Sequence, residues 1–175
     1  MTASAETYLD LKNYETAEEI LKRYPNSKFK KIDIVNSQDG EQSYEWEDID
    51  PRGIVLLSFI DAKPIIFTSI QNLRKQLASA NPREKNLLST RITNFEKKLS
   101  QHEYSLLHLY SIKYVPMEPI DIEIIVKKYG KPDSEDITRS FTPVFIWKNG
   151  VKAFADPNGK KIVGISYDLG GEDGR

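Results

Sequence analysis

The residues from Val144 to Tyr167, VFIWKNGVKAFADPNGKKIVGISY, constrain this chain more than any other stretch. Three apolar runs are separated by Asn149-Gly150 and by Asp156-Pro157-Asn158-Gly159. Asn-Gly is the strongest two-residue hairpin signal, because both residues tolerate positive φ, and Asp-Pro-Asn-Gly is a second turn sequence. An antiparallel meander is predicted. A two-residue loop sets its register, with Val144, Ile146, Val151, Ala153 and Ala155 on one face and Phe145, Trp147, Lys152 and Phe154 on the other. A strand pair apolar on both faces is either sandwiched between helix layers or carries an exposed binding surface.

Upstream, TAEE at Thr16 to Glu19 is a capping box that opens a short helix, halted by Pro25. FKKIDIV (29–35) and SYEWEDI (43–49) read as strands around a loop carrying Asp39-Gly40, and Asp50-Pro51-Arg52-Gly53 reads as a tight turn. IVLLSFI (54–60) has hardly a polar residue, which predicts a central strand covered on both faces. The next segment, 61–80, has two readings. Ile65, Ile66, Phe67 and Ile70 suit a strand. Ile66, Ile70, Leu73 and Leu77 recur at helical steps, with Pro64 suited to a first turn, and the helix is the preferred reading. Asn81 caps a second helix striped by Leu88, Ile92, Phe95 and Leu99; residues 104–115 read as a strand. Pro119 opens a further helix, with Ile122, Ile125, Val126 and Tyr129 on one side, that ends at Gly130.

A length of 175 residues fits one domain with a proper core. Its expected extent is 29–168, preceded by an arm with a short helix (1–28) and followed by a flexible tail (169–175). A net charge of −1 supplies no global field for nucleic acid or an anionic membrane. No apolar run reaches the length of a membrane span, and the first residues lack the pattern of a signal peptide. As written, the chain reads as cytoplasmic; with a leader removed it would be periplasmic or secreted. There is no cysteine, which removes disulfides, thiolate nucleophiles and cysteine-bound metal together. Charge is uneven locally: residues 39–50 hold six acidic groups and no basic one, while 71–101 hold seven Lys or Arg against two Glu. Both read as solvated faces.

Two family resemblances compete. EDIDPRGIVLLSFIDA, Lys128-Tyr129-Gly130 and the Thr142-Pro143 strand running to Asn149-Gly150 resemble, in that order, the thioredoxin-like fold in its peroxiredoxin-type layout, with an N-terminal hairpin added. That resemblance implies an α/β layered sheet and a cis Thr142–Pro143 bond beside the first helix. The positions of the redox motif hold Asp61-Ala62-Lys63-Pro64-Ile65, so the implied scaffold has lost its chemistry. The rival is an α+β fold of tandem helix-plus-antiparallel-meander repeats. EEILKRYPNS, Trp46, Phe59-x-Asp61 and IIFTSI echo EIIVKKYGKPDS, Trp147, Phe154-x-Asp156 and KIVGISY. This pattern is similar to beta-lactamase inhibitor proteins and SmpA/OmlA-type outer-membrane lipoproteins, which bind or scaffold.

Catalytic constellations are thin. His102 and His108 would lie about 20 Å apart along a strand, too far to share a metal. No serine elbow, phosphate loop, dinucleotide fingerprint or calcium-loop spacing occurs. Tyr44 and Trp46 are interleaved with Glu, which argues against a nucleic-acid backbone. No catalytic residue, metal or cofactor is assigned. The expectation is a non-redox protein-interaction or accessory module, with a tandem-repeat inhibitor or envelope scaffold as the alternative. The partner is a protein, without nucleic acid or membrane insertion. The thioredoxin-like resemblance implies contacts at Asp61, Lys63, Pro64, Thr142 and Pro143, and the repeat implies a sheet face of Phe145, Trp147 and Phe154.

Overall fold

The computed structural model describes residues 11–169 apart from 13, 34–39 and 48. The tail from 170 onward, the end of the FKKIDIV run and the Asp39 half of its loop lie outside the described residues. The described chain is α+β, with helices α1 (Ala17–Arg23), α2 (Lys63–Ser79), α3 (Pro82–Leu99) and α4 (Ile122–Tyr129). Its strands are β1 (Lys28–Ile32), β2 (Glu41–Glu47), β3 (Gly53–Asp61), β4 (Leu107–Pro116), β5 (Ile120–Asp121), β6 (Ser134–Ile137), β7 (Pro143–Ile146), β8 (Val151–Ala155) and β9 (Lys161–Asp168). They form one sheet in the order β1-β2-β3-β4-β9-β8-β7-β6, with β5 also on β9. Every pairing is antiparallel.

This overturns the thioredoxin-like α/β reading, which requires parallel central strands. The cause lies between β3 and β4. Helices α2 and α3 have 17 and 18 residues and pack against each other, so the second returns the chain to the end where it left the sheet. β4 therefore runs back along β3, whereas a single crossover helix would have made the pair parallel. The Thr142–Pro143 bond is trans. The repeat reading fails as drawn, because IIFTSI lies in α2 while its supposed counterpart KIVGISY is strand β9.

Capping chemistry explains the helix starts. Thr16 and Glu19 close a reciprocal box at α1, and Asn81 and Glu84 do the same at α3. Asp61 accepts the Lys63 N–H (2.9 Å) at the start of α2, where Pro64 costs no hydrogen bond.

Helices α1 and α4 cover one face of the sheet. Ala17, Ile20 and Ile125 share a core with Trp46, Leu57, Phe59, Ile112, Ile165 and Trp147. The α2–α3 hairpin has its own cluster of Ile66, Ile70, Leu73, Ile92 and Leu106 and stands beyond the end of the sheet. IVLLSFI is accordingly not covered twice. Val55, Leu57 and Phe59 are buried, while Ile54 and Ile60 stand exposed on the uncovered face. An antiparallel sheet tolerates such a face. Among the described residues no helix is long and apolar enough to cross a membrane.

The C-terminal meander exists with its register shifted by one. Trp147 N–H donates to the Val151 carbonyl (2.9 Å) and Gly150 N–H to the Trp147 carbonyl (3.1 Å), so the loop has three residues, 148–150. Gly150 takes φ +83°. That single extra residue moves side chains between faces. Phe145 pairs with Ala153 and points to the core with Trp147; Val144, itself buried, pairs with Phe154 on the opposite face.

Two phenols, buried Tyr44 and half-buried Tyr110, report on burial. Tyr44 and Tyr110 are pushed up to about 12, chiefly by burial, then by Glu103 beside Tyr44 and a hydrogen bond to Glu41 at Tyr110. An unfolded tyrosine ionises near 10, so above that pH the unfolded chain loses protons that the folded one keeps. Stability is expected to be intact below about pH 10 and to fall as pH rises toward 12. Denaturation midpoints across that range, compared with those of Tyr44→Phe, check it; a flat profile would contradict the burial.

Candidate functional site

Antiparallel order places the connections at two ends. The β2–β3 turn, the β4–β5 link, the β6–β7 loop and the β8–β9 turn share one end; α2–α3 occupies the other. Two features stand at the turn end.

The first is a cleft of about 590 Å³ between α4 and the sheet. Buried Tyr114, Ile165 and Tyr167 floor it, and Ile124, Ile125 and Tyr129 of α4 form one wall. Pro51 and Arg52 of the β2–β3 turn, with Met117 and Glu118, form the other side. The hydroxyls of Tyr129 and Tyr167 are hydrogen-bonded (3.3 Å). Arg52 is fixed on buried Asp50, whose Oδ1 accepts both its backbone N–H (2.9 Å) and its Nε–H (3.3 Å). Burial, then the Asp50 carboxylate, raises the Tyr114 phenol above the usual tyrosine range.

The second is the β6–β7 loop. Phe141 N–H donates to the Thr138 carbonyl (2.9 Å) and Thr138 N–H to the Thr142 carbonyl (2.9 Å), the same three-residue loop as at 148–150. Here the left-handed position holds Phe141 at φ +59°, with the residue 84% exposed. A bulky residue at positive φ is an outlier, and such strain concentrates at functional segments. Thr138, Ser140 and Thr142 hydroxyls link beneath it (2.9 and 3.3 Å), and Ile137 is exposed alongside.

The anticipated contact positions separate. Asp61, Lys63 and Pro64 lie at the helical end, where Asp61 also accepts from Gln42 Nε2 (3.0 Å). Thr142 and Pro143 lie at the turn end. Three strands stand between β3 and β7, so four spacings, about 19 Å, divide the two sets. Trp147 is 3% exposed, donates Nε1–H to the Gly130 carbonyl (3.1 Å) and packs near Tyr129. Phe145 is half-buried against the same core. Phe154 alone of that trio lies on the uncovered face, under the Lys113 ammonium at 5.6 Å.

Phe141 and the cleft were missed. Ile124 offered a signal, being apolar yet off the α4 stripe; nothing in the run TRSFT announces a left-handed Phe141. His102 caps the turn at Glu103–Leu106, accepting the Tyr104 N–H, and His108 Nδ1 meets the Tyr14 carbonyl. Among the described residues no three His, Asp or Glu gather as a metal site. The chain matches no protein-family model, no curated protein and no solved structure.

Proposed function

We propose that this chain is a non-enzymatic protein-interaction module that grips its partner protein at the turn end of the sheet, with Phe141 as the anchor. The observation that carries this reading is the exposed ring of Phe141 held on left-handed backbone. A left-handed non-glycine residue costs about 1–2 kcal/mol, and the equivalent loop position is occupied by Gly150. The loop's hydrogen bonds fix the backbone that carries the ring before any encounter, which lowers the ordering cost of binding. Aromatic residues presented in this way are typical interface anchors. Thr142 and Pro143 flank the anchor and belong to the same surface.

Two measurements test it together. Phe141→Gly is expected to stabilise the fold by about 0.5–1 kcal/mol, since relief of the left-handed strain exceeds the added chain entropy. A photo-reactive phenylalanine at position 141 is expected to cross-link one discrete protein in cells that make this chain, with excess wild type competing and the Phe141→Gly protein not. The same probe at Ile65, on α2, is the control. Equal labelling at both sites, or a loss of stability in Phe141→Gly, would remove Phe141 from the reading.

A further inference from the structure

We propose that the cleft between α4 and the sheet binds a small amphipathic carboxylate, a molecule with one anionic head and an apolar body. This site is separate from the Phe141 contact and does not depend on it.

Size comes first. About 590 Å³ lies inside the range of small-molecule sites, roughly 300–1,000 Å³. Its walls match an apolar body. The floor of Tyr114, Ile165 and Tyr167 is fixed by three-strand pairing, because Tyr114 pairs with both Val55 and Ile165, and Tyr167 with both Ile112 and Val151. Ile124 (58%) and Met117 (72%) are exposed where the cleft meets water, and an apolar body lying between them would remove that surface from solvent.

Charge chooses the head group. Two cations, Arg52 on the β2–β3 turn and Lys128 on the last turn of α4, line the cleft with one carboxylate, Glu118, while the Asp50 carboxylate that pairs with Arg52 is buried outside the lining and offsets part of its charge. They come from different elements bordering the same space, so a head group at its mouth meets both fields. Arg52 is positioned by its bonds to Asp50 rather than left to swing, and its planar guanidinium suits a carboxylate. Burial holds the Tyr114 phenol above the usual tyrosine range, and the Tyr129–Tyr167 hydroxyl pair adds further polar groups to the cleft.

The three tyrosines leave one competing chemistry, a quaternary ammonium over aromatic faces. The two lining cations oppose it, and experiment separates the two. Decanoate and decyltrimethylammonium carry apolar chains of equal length and opposite heads. Titrating each into isotopically labelled full-length protein, decanoate is expected to saturate, with amide shifts centred on Tyr114, Ile124 and Ile165. It is also expected to displace anilinonaphthalene sulfonate. Lys128→Glu should weaken decanoate by about tenfold or more, while Lys127→Glu on the same turn leaves it unchanged. Ile124→Glu, an exposed position that the fold does not need, should abolish the shifts. Equal binding of the two amphiphiles, shifts centred on Phe154 across the sheet, or equal effects of the two lysine variants would overturn the proposal.

Discussion

Trp147→Ala is expected to lower stability by about 3–5 kcal/mol, the scale for deleting a buried tryptophan. The side chain is 3% exposed, sits in the main core, and satisfies its ring N–H on the Gly130 carbonyl just beyond α4. Removing it opens a void between β7 and α4 and orphans that carbonyl. For a chain of this size the midpoint of melting should fall by on the order of 10 °C. Tyr129, which packs beside Trp147 and lines the cleft, should loosen as well, so weaker decanoate binding would accompany the loss. An unchanged midpoint would mean that Trp147 is a surface residue, as a two-residue Asn-Gly loop would have made it.

Gly150→Ala is the second large effect. At φ +83° any side chain adds about 1–2 kcal/mol of backbone strain. A methyl group there would also lie 2.5 Å from the Asp168 carbonyl oxygen, so β9 must shift, an overpacking cost of typically 1–3 kcal/mol. The Gly150 carbonyl accepts the Asp168 N–H (2.8 Å), so that shift strains a hydrogen bond too. The sum, roughly 2–5 kcal/mol, should appear as a lower denaturant midpoint with an unchanged slope. A neutral result would show that the loop relaxes freely, and would weaken the contrast with Phe141 on which the partner surface rests.

Local chemistry was the legible part of this chain. The box at Thr16, the cap at Asn81, Pro64 in a first turn and the stripe of Ile66, Ile70 and Leu73 placed helices where they lie. Pairing was not legible, because the order of elements along a chain does not say which strands are neighbours. IVLLSFI looked doubly covered, since Ile54 and Ile60 are as apolar as Val55 and Leu57. Asn149-Gly150 indicated a hairpin correctly, yet the same dipeptide serves a three-residue loop, and one residue decides which face Trp147 takes. The cleft needed tertiary structure: its floor comes from β4 and β9, its walls from α4 and the turn at Pro51. Phe141 was legible only as an aromatic residue before Thr-Pro, because backbone conformation leaves no mark when glycine is absent.

The order of the sheet also sets an order of assembly. β1 to β4 pair in sequence, and so do β6 to β9; each run can zip from its own turns or, between β3 and β4, from the α2–α3 hairpin. Among the described strands only the β4–β9 pairing joins them, where Tyr114 meets Ile165, a contact that must close a loop of roughly fifty residues and so tends to form late. The floor of the cleft lies on that seam. A ligand held there would bind only the chain in which the two runs have already met, and would act as a brake on unfolding.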